Sequence, residues 1–120
     1  MEVPSEIVAG NLLQNYGDIA ELAARAGGDV LRDWRGRFAV STKGPKDLVT
    51  EADIASQKTI REIVLSRFPN HGFIGEEGDQ GQNISPLRWM VDPLDGTSNY
   101  VHGFPAYCVS VALAYRDEIL

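Results

Sequence analysis

The sequence predicts an α+β fold, with helices in the first half of the chain and strands in the second. Apolar residues recur at helical spacing over most of the first 68 positions, and short apolar runs bounded by turn residues follow them. Strands that follow helices, rather than alternate with them, are typical of α+β layering. The length of 120 residues allows at most one domain with a modest core.

The first helical pattern begins after Ser5, a fair N-cap, and continues to about Arg35. The pair Gly17–Asp18 predicts a break in it. Its apolar face consists of Ile7, Val8, Leu12, Leu13, Tyr16, Ile19, Leu22, Ala23, Ala26, Val30, Leu31 and Trp34. Glycine costs a helix about 1 kcal/mol relative to alanine, so we expect Gly27–Gly28 to permit close packing against another element.

A turn-rich segment and a second helix follow. We expect a strand at Phe38–Val40 and a turn at Lys43–Lys46. Thr50 has the character of an N-cap, with Asp53 at the third helical position in a pattern that resembles a capping box. The helix is expected to end before Pro69. Its predicted buried face consists of Ile54, Ile60, Ile63, Val64 and Phe68.

The second half of the chain predicts strands. Phe73–Ile74 is a short strand that leads into the loop Gly75–Gly78, and a polar loop covers residues 80–86. Leu87–Val91 and Tyr107–Tyr115 are longer apolar runs typical of strands. The last residues, from Arg116 onwards, are typical of a hairpin turn that enters another strand, so we expect the natural protein to continue further.

Composition and charge argue against several classes of function. The formal net charge is −6 without a cluster of basic residues, which argues against nucleic acid as a partner. The first residues lack the features of a secretion signal, and no apolar run reaches membrane-spanning length. The single cysteine, Cys108, favours a reducing compartment and is expected to be a small buried strand residue. We therefore expect a soluble, cytoplasmic protein.

The residues with the strongest chemical character follow the predicted strand at 87–91. The run from Asp92 to Thr97, Asp-Pro-Leu-Asp-Gly-Thr, contains two carboxylates that can face one point because the proline between them makes the turn rigid, and a glycine and a hydroxyl follow. Mg²⁺ prefers such hard oxygen ligands, and if a helix starts at Gly96–Thr97, its free amides would receive a phosphate. Taken alone, however, such a run is usually a turn that caps its own backbone, and Asp53 is more often a helix cap than a ligand.

A longer pattern points to a known family. Gly75-Glu76-Glu77 precedes Trp89-Met-Val-Asp-Pro-Leu-Asp-Gly-Thr-Ser-Asn-Tyr-Val-His-Gly-Phe-Pro105, and Lys46-Asp47-Leu48-Val49-Thr50 lies three residues before Asp53. From about Asp18 to the end, the chain resembles the inositol monophosphatase family. The resemblance implies the N-terminal portion of the layered αβαβα sandwich of the inositol monophosphatase/fructose-1,6-bisphosphatase superfamily. Residues 1–120 would form the N-terminal αβ part of a single phosphatase domain, with the C-terminal half absent.

The resemblance also implies a Mg²⁺ centre. The ligands would be Glu76, Asp92, the backbone carbonyl of Leu94 and Asp95. Asp92 would bridge two metal ions, and Glu77 would lie behind the ligands or on a third, weaker site. The second metal would lack one ligand here, because the family carries a further aspartate in its second half.

The implied reaction is the hydrolysis of a phosphate monoester. Glu76 and Thr97 would hold the attacking water, and Asp47 would hydrogen-bond to Thr97. The backbone amides of Gly96 and Thr97 would take the substrate phosphate, and the substrate-binding residues as a whole would be Asp95, Gly96, Thr97 and Ser98. His102 is the tempting general acid, but we expect it to make a structural hydrogen bond instead.

The residues that follow the metal loop narrow the substrate. Ser98 to Pro105 is similar to the inositol monophosphatase branch, so the implied substrate is inositol monophosphate, a small phosphorylated polyol. The family also suggests a homodimer for the full-length form. Two alternatives stay open. One is a relative that acts on another sugar phosphate or on 3′-phosphoadenosine 5′-phosphate, and the other is an inactive fragment that binds metal or another subunit.

Overall fold

The structure is a computed structural model that describes residues 3–35, 37, 45–75, 78–79, 85–116 and 118–120, with the backbone alone at 45–50 and 78–79. Helices and strands make up most of this part of the chain. In order they are α1 (Ser5–Val8), α2 (Leu12–Arg35), α3 (Pro45–Arg67), β1 (Gly72–Gly75), β2 (Gly78–Asp79), β3 (Leu87–Asp95), α4 (Thr97–Val101), β4 (Cys108–Tyr115) and β5 (Glu118–Ile119).

The strands form one mixed sheet, and α2 and α3 pack together on one face of it. The strand order is β2-β1-β3-β4-β5, in which β1 and β3 are parallel and the other neighbours are antiparallel. Alternate residues of β3 point towards the helices and are buried, as expected for a strand with one covered face. They are Leu87, Trp89 and Val91. The predicted α+β layering is confirmed.

Helix α2 is longer and more regular than the sequence predicts. The break lies before it, near Gly10, whose φ of +59° suits glycine. Gly17–Asp18 lies inside α2 without interrupting it, so the predicted break there is wrong. One internal glycine costs only about 1 kcal/mol, which burial of the helix's core face offsets. That face consists of Tyr16, Ile19, Ala23, Gly27 and Leu31.

Three side-chain predictions at the N-terminal helices are also wrong. Ser5 is the first residue of α1, and Pro4 occupies the N-cap position. Leu13 and Leu22 are 46% and 54% exposed. Because α2 is a straight helix with 3.6 residues per turn, both leucines lie on a different side of it from the buried residues, which include Ala23.

Helix α3 begins earlier than predicted, at Pro45, because proline is well tolerated in the first turn of a helix. The turn predicted at Lys43–Lys46 is therefore wrong in its second half. Thr50 and Asp53 lie in the interior of α3, so the predicted capping box is wrong as well. The strand predicted at Phe38–Val40 lies outside the described residues.

The buried face of α3 is a row of residues spaced by four, one for each helical turn. Its members are Ala52, Ser56, Ile60 and Val64. Ile54, which was expected on this face, is 60% exposed because it lies half a turn away from the row. The helix ends at Arg67, before Pro69, as predicted.

Two apolar clusters fill the space between the helices and the sheet. The larger one surrounds Trp89, whose indole N–H donates a 3.2 Å hydrogen bond to Nδ1 of His71. The smaller one lies at the other end of α2 and contains Leu31, Ala52, Leu94 and Tyr100. It supports the end of β3, where the predicted site lies. No helix in the described part of the chain is long and apolar enough to span a bilayer.

The end of the chain forms the expected hairpin. β5 pairs with β4 in antiparallel fashion, and Arg116 in the connecting turn has a φ of +54°. β4 begins at Cys108, one residue later than predicted, and β3 extends four residues further, to Asp95. Cys108 is exposed rather than buried, because its position on β4 points away from the helices.

Candidate active site

The site lies at a β-bulge that interrupts the pairing of β3 with β4. Asp92 pairs with Ser110 and Asp95 pairs with Cys108, so three steps along β3 match two along β4. In a regular strand, residues three apart point to opposite faces, but the extra residue returns Asp92 and Asp95 to the same face. That face is opposite the helices, and Asp95 is exposed on it. The bulge therefore directs both carboxylates to one surface.

The turn at the end of β3 is held by short-range hydrogen bonds. The N–H of Leu94 donates to Oδ1 of half-buried Asp92 over 3.2 Å. The hydroxyl of Thr97 donates to the carbonyl oxygen of Leu94 over 3.4 Å. A carboxylate has about four lone-pair positions, so the bond from Leu94 leaves Asp92 able to contact a cation. The turn thus places the hydroxyl of Thr97 beside the predicted carbonyl ligand.

The residue after the turn has to be glycine. Gly96 has a φ of +91°, and a Cβ placed on it would lie 2.9 Å from the carbonyl oxygen of Ala106. The same carbonyl accepts a 2.8 Å hydrogen bond from the side-chain amide of Asn99. Helix α4 begins at Thr97 with Gly96 at its N-cap, where the sequence allows a helix to start. The close return of the chain at Ala106 fixes this helix beside the two carboxylates.

Helix α4 is anchored to α2 through a buried tyrosine. Tyr100 is fully buried, and its hydroxyl donates a 2.6 Å hydrogen bond to the carbonyl oxygen of Leu31. The guanidinium of Arg35 lies 5.5 Å from the centre of its ring and 5.9 Å from that of Tyr107. Burial, followed by the phenol of Tyr107, raises the pKa of Tyr100 to about 12, although Arg35 opposes the shift. The phenol therefore remains protonated and serves as a donor.

His102 has the structural role that the sequence predicts. Its Nδ1 lies 2.7 Å from the carbonyl oxygen of Ser98. Since a carbonyl only accepts, Nδ1 carries the proton. The side chain of Ser98 is exposed on the first turn of α4. A cavity of about 330 Å³ opens beside this turn and is lined by Asp95, Gly96, Ala106, Tyr107 and Cys108.

Sequence reasoning missed a residue beneath the turn. Ser56 on α3 is fully buried, and its Oγ lies 3.2 Å from the carbonyl oxygens of both Gly27 and Pro93. Pro93 is located between the two aspartates. The sequence contained a signal for this residue. Ser56 is the one hydroxyl in the described buried row of α3, whose other members, Ala52, Ile60 and Val64, are apolar.

Several predicted site residues cannot be placed with the others. Glu76–Glu77 lies outside the described residues, and Asp47 is located in the first turn of α3 by its backbone alone. Among the described side chains, no cluster of three or more His, Cys, Asp or Glu residues is arranged to hold a metal ion. The described candidates are the carboxylates of Asp92 and Asp95, which share one face of the sheet, and the carbonyl of Leu94 between them in the turn. This all-oxygen set fits the preference of Mg²⁺ for hard ligands.

Comparison with known proteins identifies similar sequences. The model of a family described as the inositol monophosphatase family matches residues 13–120. The chain is 44% identical over 109 residues to a fructose-1,6-bisphosphatase/inositol-1-monophosphatase of Aquifex aeolicus, covering 88% of this chain and 41% of the relative. It is 42% identical over 99 residues to an inositol-1-monophosphatase of Rhizobium meliloti, covering 80% of this chain and 37% of that protein.

Solved structures give the same picture. The inositol monophosphatase of Anabaena (Nostoc) sp. PCC 7120 superposes with a TM-score of 0.73 at 38% identity, over 89% of this chain and 38% of that one. The extragenic suppressor protein suhB of Bartonella henselae superposes with a TM-score of 0.73 at 31% identity, over 88% and 41% of the two chains. The chain therefore spans about two fifths of the length of these relatives.

Proposed function

The chain belongs to the inositol monophosphatase family, and we propose that it supplies the Mg²⁺-binding part of a phosphomonoesterase that hydrolyses inositol monophosphate to inositol and phosphate. The observation that carries the proposal is the β-bulge, which directs Asp92 and Asp95 to one face of the sheet. The substrate is supported by the names of the relatives in Aquifex aeolicus and Rhizobium meliloti, and by the sequence from Ser98 to Pro105.

The residues of the turn would hold the metal. We assign Asp92, Asp95 and the carbonyl of Leu94 as ligands, with Glu76 completing the first site. When bound, Mg²⁺ supplies positive charge to the phosphate and lowers the pKa of its water. Both carboxylates are acceptors only, so without a cation they would repel a phosphate rather than bind it.

Thr97 is suited to orient the attacking water. Its hydroxyl proton is directed to the carbonyl of Leu94, which leaves the oxygen lone pairs to accept a hydrogen bond from water. We further propose that Glu76 holds the same water and that Asp47 shares the hydroxyl proton of Thr97 as its base partner. The backbone amides of Gly96 and Thr97, with the side chains of Asp95 and Ser98, would contact the substrate.

The span of two fifths of the relatives' length bears on what the 120 residues do alone. We propose that they form the N-terminal αβ part of a larger, cytoplasmic and homodimeric phosphatase, and that the second metal ion takes a further ligand from the rest of that protein. An inactive metal-binding or subunit-binding fragment is the alternative. The two proposals differ in whether the complete reading frame gives turnover.

The test is phosphate release from inositol 1-phosphate by the product of the complete reading frame that contains residues 1–120. We expect Mg²⁺-dependent turnover, which Asp95→Asn abolishes. Asp33→Asn, which removes an exposed carboxylate from α2, is the matched control and should retain the wild-type rate. Near-normal turnover by Asp95→Asn would contradict the assignment of Asp95 as a metal ligand. The 120-residue chain by itself should release negligible phosphate, and robust release by it would contradict the proposed division of the site.

A further inference from the structure

We propose that Ser56 is a positioning residue for the metal-binding turn, acting through the backbone carbonyl of Pro93. The inference rests on the proposed Mg²⁺ site and extends it to a residue in the middle of α3. Ser56 does not face the site, and it touches neither carboxylate in the described contacts. Its influence would pass through one peptide group, the one that joins Pro93 to Leu94.

The geometry around Ser56 links three elements. Its single hydroxyl proton is shared between two acceptors, the carbonyl oxygens of Gly27 on α2 and Pro93 on β3, each 3.2 Å away. Both acceptors are backbone atoms, so the contact fixes main-chain positions rather than mobile side-chain ends. Ser56 has no exposed surface, and a buried hydrogen bond of this kind is not exchanged for one to water.

The bulge explains why a contact at Pro93 matters. The regular pairing of β3 with β4 is interrupted between Asp92 and Asp95, where Pro93 also lacks an N–H to donate. A bulged segment is held less firmly by its neighbouring strand than a regular one. Ser56 contacts the carbonyl of Pro93 inside that segment, from the helix side of the sheet.

The peptide group held in this way lies between two of the proposed ligands. A rotation of the Pro93–Leu94 peptide would move the side chain of Asp92 on one side and the carbonyl of Leu94 on the other. The N–H of the same peptide is the donor to Oδ1 of Asp92. One hydrogen bond from Ser56 therefore restrains a carbonyl and, through the rigid peptide plane, the N–H that orients a carboxylate.

Gly27 makes this arrangement possible. A Cβ on Gly27 would lie 3.0 Å from Oγ of Ser56 and 2.7 Å from Cδ1 of Ile60. Only a residue without a side chain allows α3 to approach α2 closely enough for Ser56 to reach both carbonyls. The packing of the two helices and the shape of the metal turn are thus set at the same point.

The experiment measures Mg²⁺ affinity and the amide resonance of Leu94 in the product of the complete reading frame. Ser56→Ala removes the hydroxyl and should weaken Mg²⁺ binding roughly tenfold, as is usual when a group that orients a ligand is lost. The ¹⁵N resonance of Leu94, whose nitrogen is bonded to the Pro93 carbonyl carbon, should shift in the same variant. The matched control is Val64→Ala, which truncates another buried residue in the same row of α3. Val64 belongs to the larger apolar cluster around Trp89, away from the metal-binding turn.

Val64→Ala should lower stability while leaving Mg²⁺ affinity and the Leu94 resonance at their wild-type values. Equal Mg²⁺ affinity in wild type and Ser56→Ala would overturn the positioning role, while the proposed function would stand. Equal losses of affinity in the two variants would overturn it too, since they would report only on stability. If the wild type itself bound no Mg²⁺, the proposed function would fail. An unchanged Leu94 resonance in Ser56→Ala would then overturn the role of Ser56 separately.

Discussion

Two adjacent glycines in α2 offer a matched test of the helix packing on which the site depends. Gly27 and Gly28 both lie in the interior of the helix, so alanine at either position should gain about 1 kcal/mol of helix propensity. Their surroundings differ. A Cβ on Gly27 would lie 2.7 Å from Cδ1 and 2.9 Å from Cγ1 of Ile60, whereas a Cβ on Gly28 would meet nothing within 4 Å.

The magnitude follows from this difference. Ile60 is fully buried, so it has to shift within a close-packed core, and overpacking of this kind costs about 1–3 kcal/mol. The propensity term cancels between the two variants. Gly28→Ala should therefore be more stable than wild type by up to about 1 kcal/mol, and Gly27→Ala should be less stable than Gly28→Ala by about 1–3 kcal/mol.

Equilibrium unfolding in urea measures this difference, with the fluorescence of buried Trp89 and the helical circular dichroism as probes. The two probes should give coincident transitions with equal slopes in the three proteins, so that the midpoints compare directly. Equal stability of Gly27→Ala and Gly28→Ala, within about 0.5 kcal/mol, would refute the close contact between α2 and α3 at Gly27.

Three further predictions concern the buried tyrosine of α4, the glycine that precedes this helix, and the histidine that contacts Trp89. Tyr100→Phe removes the buried bond to the carbonyl of Leu31 and should lower the free energy of unfolding by about 1–2 kcal/mol; an unchanged urea midpoint would contradict it. Gly96→Ala should destabilise more than Gly10→Ala, because both have positive φ but only Gly96 faces a carbonyl at 2.9 Å; equal losses would show that the contact relaxes freely. Burial lowers the pKa of His71 below 6.5, so the folded state binds fewer protons than the unfolded one and stability should fall as the pH drops below about 6.5. His71→Phe should flatten that part of the pH profile of unfolding, and an unchanged profile would exclude His71 as its source.

The sequence was sufficient for the elements that strong patterns define. The placing of helices before strands and the end of α3 before Pro69 were predicted correctly, whereas the short strand β2 was not predicted. Glycine placement was only partly predictable. Gly27 packs closely as expected, but Gly28 does not, since the rotation of α2 about its axis depends on tertiary packing.

The errors share a physical cause. Caps and breaks assigned at Gly17 and Thr50 are local preferences worth about 1 kcal/mol each, and burial of a continuous helix face overrides them. Cys108 was expected to be buried because its neighbours are apolar, but alternation along β4 turns it to the other face. The apolar character of neighbouring residues does not show which face of the strand a given residue occupies.

The geometry of the proposed site was predicted only in part. The rigid turn at Pro93 was expected to let Asp92 and Asp95 face one point, whereas alternation along a regular strand would place residues three apart on opposite faces. The β-bulge directs both carboxylates to one face. It depends on the pairing of Asp95 with Cys108 in β4, 13 residues further along the chain. The support from Ser56 is likewise a long-range contact that the sequence does not show.

The most direct test of the metal site is crystallography of the protein soaked in Mn²⁺, which takes the same oxygen ligands as Mg²⁺ and has a measurable anomalous signal. We predict an anomalous difference peak on the face of the sheet opposite the helices, from an ion coordinated by Asp92, Asp95 and the carbonyl oxygen of Leu94. The peak should be absent in Asp92→Asn crystals. A structure in which the two carboxylates point to opposite faces, or in which Mn²⁺ binds elsewhere and leaves this turn without a peak, would contradict the account.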